Sequence, residues 1–279
     1  METSLFFKTF VVFGTQLSLV FGICYYFIYG ARKAALSGEP FYGVIFEKQY
    51  NKNGELDLFS AEEAAYDEWW SKEEAELGAL YYKDKDAWKK RKAEFEKECD
   101  EKAPPLRKLL YNLTWIWIIA LSSTSFISFT DYSIFSKMLM LSIASISFGP
   151  LLASIMISMD ENDGLRILNL TLVITFLTAI IGIYSGIDFS SLGHILIVPL
   201  LILITWNICN IFWNFTSASK RVMGIFGSLI FILFLLFDFY RLEQASANGM
   251  NDWNTAFNIG FSIYLDVINL LLELLEAMG

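Results

Sequence analysis

Seven apolar runs long enough to cross a bilayer constrain this chain more than any other feature of it. They fall near residues 5–29, 109–129, 134–158, 166–187, 192–214, 222–241 and 255–277, and about 20 predominantly apolar residues suffice for a helix to cross the hydrocarbon layer. From the second run onward the connections are short, so consecutive helices are expected to be antiparallel neighbours in one bundle. With 55% hydrophobic and 16% aromatic residues, the chain is too apolar for an ordinary water-soluble domain. The expected fold class is therefore all-α: a polytopic membrane protein built as a seven-transmembrane-helix bundle, with one inserted, mostly helical soluble segment. No internal repeat or low-complexity tract interrupts it.

The first run continues far past the length of a signal-peptide core and meets no small-residue cleavage site, so residues 1–30 are expected to remain as the first membrane helix. Residues 31–108 form a charged insertion that holds 15 of the 21 Lys and Arg and 18 of the 30 Asp and Glu. Residues 109–279 then form a six-helix membrane core. Within the insertion, residues 36–60 carry Gly, Pro and an Asn-Gly turn signal, with Val44, Ile45 and Phe46 as at most a short strand. From Ser60 to Glu101 the pattern is helical: Ser60 followed by Glu63 makes a capping box, and Pro104 and Pro105 end the segment before the second span. Trp69, Trp70, Tyr81, Tyr82 and Trp88 are too many aromatics for a solvated spacer. They either cover the mouth of the bundle or the headgroup level, or form a docking surface for a partner protein.

Basic residues near the span ends are more numerous on the side of the insertion, where Arg32, Lys33, Arg107, Lys108, Arg166, Lys220 and Arg221 stand against Lys8, Lys137 and Arg241 opposite. The insertion is thereby expected on the cytoplasmic or matrix side. Three cysteines, Cys24, Cys99 and Cys209, offer neither a disulfide frame nor a metal spacing. A single histidine, His194, makes a His-based metal or triad site unexpected and reads as a satisfied interface residue. No basic patch with interleaved aromatics suggests nucleic acid, no cofactor is implied, and no nucleophile and base at useful spacing suggests an enzyme.

The last run carries the most information. Asn254, Asn258, Ser262, Asp266, Asn269, Glu273 and Glu276 recur at steps of four and three, on one face of a helix otherwise made of Phe, Ile, Leu, Tyr, Val and Ala. A membrane helix with such a stripe turns it toward other helices or a wet cavity. The competing reading, an amphipathic helix lying on a membrane or partner, suits the terminal glutamates but not the apolar centre around Asp266. In the sixth run, Asp238 and Arg241 are one turn apart and can neutralise each other. Alternatively Asp238 faces Asp266 across the helix pair, as two carboxylates sharing a proton or a cation and sensitive to pH. Ca²⁺ suits such oxygens, although two carboxylates make an incomplete shell. Asn207, Asn210 and Asn214 share a face of the fifth run, read as interhelical hydrogen bonding before cavity lining. The sequons at Asn112, Asn169 and Asn214 lie in or at spans and are discounted as glycosylation sites.

Four local patterns in order, FGPLLASIMIS, IYSGIDFSSLGHILIVPLL, LIFILFLLFDFYRL and SIYLDVINLLLELL, resemble the Bax inhibitor family of seven-helix membrane proteins (transmembrane Bax inhibitor motif) over roughly Ser136 to Gly279. The resemblance implies a Ca²⁺ leak across organelle or bacterial membranes, a link to cell-death control, and a pH-sensitive aspartate pair at Asp238 and Asp266. Arg241, Asn258, Ser262, Asn269, Asn207 and Asn210 are expected as supporting polar residues. Phe239 and Tyr240 stand where the family has Thr and Gln after the first aspartate, the second span lacks the basic residue some members use, and the insertion is not a family feature. Two functions follow: a pH-sensitive cation leak channel, or a structural accessory subunit of a large membrane complex, such as a mitochondrial inner-membrane respiratory assembly, gripping neighbours through the insertion. The expected setting is a multi-pass protein of the mitochondrial inner membrane, with the endoplasmic reticulum or another organelle as the alternative.

Overall fold

The computed structural model describes residues 4–128, 130, 132–213 and 216–278. Among the described residues, ten helices and one β-hairpin follow in chain order: α1 (Leu5–Ser37), β1 (Glu47–Tyr50), β2 (Leu56–Phe59), α2 (Ala61–Lys83), α3 (Lys85–Lys102), α4 (Pro105–Ser128), α5 (Ile134–Met159), α6 (Glu161–Tyr184), α7 (Leu192–Ile195), α8 (Ile197–Trp213), α9 (Ser217–Ala247) and α10 (Trp253–Met278). Seven helical stretches are long and apolar enough to cross a membrane, and they correspond one to one to the seven apolar runs. The helices outlast the apolar runs where local signals allow it. The first helix, capped by Ser4, continues to Ser37 and stops at Gly38, whose φ of 71° supplies the left-handed C-cap. The fifth span is broken after one turn at Leu196, ahead of Pro199, so that α7 and α8 share it.

The bundle is built around its last helix. In the most apolar window of α10 61% of residues are buried, against 11% for α4 and for the α7–α8 span, so α10 is the axis and those two face lipid. The axial helix packs against α9, α1, α6 and α5; α4 lies outside α5, and α8 meets the bundle mainly through α9. Burial on the axis requires small residues where backbones approach. A side chain at Gly260 of α10 would collide with Val12 of α1, and one at Gly224 of α9 would meet the backbone at Glu273 and Ala277. The apolar core runs along this axis, with Phe257, Ile263, Tyr264, Val267 and Leu271 of α10 and Leu235 and Phe239 of α9 almost wholly enclosed.

The insertion carries a hairpin that lies just beyond Val44, Ile45 and Phe46, the residues that read as at most a short strand. Glu47 to Tyr50 pair antiparallel with Leu56 to Phe59, and Gly54 with φ 77° closes the turn beside Asn53. Val44 forms an isolated β-bridge with Phe41, and Val44 and Phe46 are buried against the bundle end. Ser60 caps α2 by accepting from the Glu63 N–H at 3.3 Å, and Asp84 both ends α2 and caps α3. The insertion is fastened to the membrane helices by side chains: Arg166 to Glu55 of the hairpin turn at 2.8 Å, Asn162 Nδ2 to the Leu56 carbonyl at 2.8 Å, and Arg107 at the head of α4 to Glu63 of α2 at 3.1 Å.

Candidate functional site: the carboxyl pair between α9 and α10

Antiparallel packing of α9 on α10 brings Asp238 and Asp266 together. The two carboxyl groups are within hydrogen-bonding reach of each other, and Arg241 lies close enough to act on both. Arg241 Nη1 donates to Asp238 Oδ1 at 3.3 Å. The one-turn ion pair and the inter-helix carboxyl pair, alternatives in the sequence, thus coexist. Asp238 is buried, whereas Asp266 keeps a partly accessible surface among otherwise enclosed neighbours. The two residues after Asp238 are engaged as well. Phe239 is fully enclosed and packs edge-on to Phe13 of α1, with ring centroids 6.2 Å apart. Tyr240 points the other way and its hydroxyl donates to Asp188 at 2.9 Å.

Asp188 sits in the loop between α6 and α7, beyond the membrane spans. The Ser190 N–H and hydroxyl, followed by the Tyr240 hydroxyl, hold its carboxyl below the ordinary aspartate value. This loop and the end of α9 enclose a half-open cleft of about 490 Å³ lined by Gly182, Tyr184, Asp188, Tyr240, Glu243 and Gln244 among others. The cleft reaches the turn of α9 that follows Asp238, and neither Asp238 nor Asp266 lines it.

The polar stripe of α10 is not uniform in its surroundings. Asn258 is exposed, Ser262, Asp266, Asn269 and Glu276 are half-buried, and Glu273 is buried. At its N-terminal end it is held by two lysines that the sequence offered only as topology markers. Lys137 of α5, 2% exposed, donates to Asn254 Oδ1 at 3.1 Å. Lys8 of α1 donates to the Asn251 carbonyl at 2.6 Å and lies over the Trp253 ring. Their burial was hidden because each cation sits near the end of an apolar run, a position that usually permits snorkelling.

A family model described as an inhibitor of apoptosis-promoting Bax1 matches residues 102–279. The chain belongs to the Bax inhibitor family. The match takes in every membrane helix except α1, and with them both aspartates. Within this Bax inhibitor core, Asn207 of α8 lies within hydrogen-bonding reach of Glu273 although its residue is largely exposed, and Asn210 is half-buried. Asn214, the third member of that face, lies outside the described residues. His194 is exposed in the short α7, rather than a satisfied interface residue, and is remote from the aspartates in the chain. Cys24 is buried beside Met156 and Cys209 is partly buried.

The aromatics proposed for partner contact divide. Trp69 packs on Tyr66 and Phe95, with Lys102 over its ring at 4.1 Å, Trp70 is also near Phe95, and Trp88 packs on Tyr81. These side chains join α2 to α3. Tyr82, 88% exposed, has its face to the outside.

One acidic group in the Bax inhibitor family chain was not anticipated. Asp57, Asp160 and Glu161 have carboxylate oxygens within 4.8 Å of one another where the hairpin meets the start of α6. Glu161 is fully buried and both its oxygens are engaged, by Arg32 Nε at 3.1 Å and by the Leu58 N–H at 3.1 Å. Asp160, at φ 139°, joins α5 to α6 without an intervening loop and caps α6 through the Asn162 N–H at 2.9 Å. Burial pushes its carboxyl upward, but donors from Asn51 and Asn162 outweigh this and leave it below the ordinary value. The run Asp160-Glu161-Asn162-Asp163 was the available signal; its partners lie over 100 residues away in sequence.

Proposed function

We propose that this Bax inhibitor family protein is a cation leak pathway of organelle membranes, with the Asp238–Asp266 pair as its gate and Ca²⁺ as the transported ion. The observation that carries this reading is the approach of two carboxyl groups between the axial helix and α9, with one guanidinium beside them. Each ionisable group at a helix centre costs on the order of 2.5–3.5 kcal/mol of insertion free energy, and a packing role would be met by apolar residues. At that approach the carboxyls share a proton; losing it leaves two like charges facing Arg241 and disfavours the closed arrangement. Ca²⁺ is cargo here, since two carboxylates supply too few oxygens to retain it. Arg241 sets the charge at the pair, and Ser262 and Asn269 extend the polar face on either side of Asp266. The chain acts without catalysis. Ca²⁺ efflux from liposomes holding the purified protein tests the reading: Asp266→Asn and Asp238→Asn are each expected to change the leak and its pH dependence.

A second reading is favoured by one observation: Tyr82 and the outer faces of α2 and α3 project from the bundle on a hairpin whose own aromatics are used internally. In that reading the chain is an accessory subunit of a large complex, in the mitochondrial inner membrane, and the insertion contacts neighbouring subunits. Co-purification of the complex with the intact chain, lost with Tyr82→Ala, is its expected result.

A further inference from the structure

We propose that Glu273 is a second proton-binding site within the membrane, separate from the aspartate pair and nearer the insertion side. Glu273 lies seven residues beyond Asp266, about 10 Å along the axial helix at 1.5 Å per residue, and on the same stripe. It is 8% exposed, and its Oε2 has no hydrogen-bond partner among the described residues. The groups around it explain why. From α9 comes Gly227, whose missing side chain makes the space: a Cβ there would lie 2.2 Å from Oε2. From α8 comes the neutral Asn207 amide, and the titratable neighbour on α10 itself is Glu276, a like charge that is offset in turn by Lys220 of α9.

An ionised carboxylate left this way keeps one buried oxygen, Oε2, without a donor and stands next to another acid. Two additions can satisfy it, a metal ion or a proton. Ca²⁺ takes six to eight oxygens, whereas the groups near Glu273 are one further carboxyl, Glu276, and the Asn207 amide, too few to complete that shell. A proton needs no shell and converts the carboxylate into a group with its own donor. The geometry therefore selects the proton. In the leak reading this site takes up or releases protons on the insertion side of the aspartate pair, but the site itself rests on the packing of Glu273 and stands apart from any flux.

Infrared difference spectra between acid and alkaline buffer test it, recorded on the full chain in liposomes. Wild type is expected to show a carboxylic-acid C=O band that is lost in Glu273→Gln and retained in Asp266→Asn. Gly227→Ala, which keeps the carboxyl but displaces it, is expected to shift the band, and it decides the question if Glu273→Gln fails to fold. A Glu273→Gln spectrum superimposable on wild type, or an unshifted band in Gly227→Ala, overturns the proposal. Neither result depends on Ca²⁺ transport, so a protein that does not leak leaves this test intact.

Discussion

Arg32 near the end of α1 and Glu161 at the start of α6 meet at 3.1 Å, Nε to Oε1, with Glu161 wholly buried and Arg32 partly open to solvent. The same carboxylate accepts from the Leu58 N–H of the hairpin at 3.1 Å, so one side chain joins two membrane helices and the insertion. Removing it leaves the Leu58 N–H without its acceptor and the Arg32 guanidinium with Asn162 alone. Glu161→Ala is expected to destabilise the protein by about 3 kcal/mol, the scale for breaking a buried pair from one side. Thermal unfolding in detergent and early proteolysis near residues 47–59 are the measurements.

Below this pair, Asp57 and Asp160 pull in opposite directions with pH. Burial, and then the charge of Asp160, raise the Asp57 carboxyl above its ordinary value, while Asp160 lies below its own. A depressed carboxyl stabilises the fold above its unfolded value and loses that stabilisation as pH falls through its folded value. A raised one loses stability as pH climbs from its unfolded to its folded value. Asp57→Asn is therefore expected to stabilise the hairpin at neutral pH, with a gain that disappears below about pH 4, where aspartates protonate. Hydrogen exchange of Leu58 across pH checks the sign, and a loss of protection at neutral pH contradicts it.

Close helix approach makes a third prediction. A Cβ at Gly182 of α6 would sit 2.7 Å from Phe239 Cβ and 2.9 Å from the Leu236 carbonyl, neither of which can move freely. Gly182→Ala is expected to cost about 1–3 kcal/mol through overpacking. Gly14 of α1 faces open space, and Gly14→Ala is expected to leave stability unchanged or raise it by about 0.5–1 kcal/mol. Comparing their thermal midpoints separates packing from helix propensity.

The seven spans were legible because hydrophobic length is a local property of sequence, and the α10 stripe because helical spacing is also local. Isolation in apolar runs singled out Asp238 and Asp266 and made their pairing one of two readings, and the packing of α9 on α10 brings them together. The Asn53-Gly54 turn of the hairpin was legible but its strands were not, for an identifiable reason. All four residues of β1 are exposed, so no alternation marks them, while Val44 and Phe46 look strand-like because they are buried against the bundle just before it. The engagement of Glu161, Lys8 and Lys137 was not legible, since each depends on partners between 103 and 243 residues away. For Glu273 the decisive neighbour is a glycine, which advertises nothing about what it makes room for.

Within the insertion, Trp69 contacts Tyr66 and Phe95 while Tyr82 contacts little beyond Tyr81. Trp69→Ala is expected to loosen α2 from α3 by about 1–2 kcal/mol, and Tyr82→Ala to stay within about 0.5 kcal/mol of wild type. Hydrogen exchange over residues 61–102 reads both; equal effects would mean that the α2–α3 contact is not held by these rings.

The central claim is that the carboxyl pair is a gate. The direct measurement is Ca²⁺ efflux from liposomes containing the folded protein, across a range of pH, for wild type, Asp238→Asn, Asp266→Asn and the double variant. The account predicts a pH-dependent leak in wild type, a leak with altered pH dependence in either single variant, and no further change in the double, because the two carboxyls act as one unit. Efflux from wild-type liposomes equal to that from empty ones, with the protein shown to be folded, contradicts it.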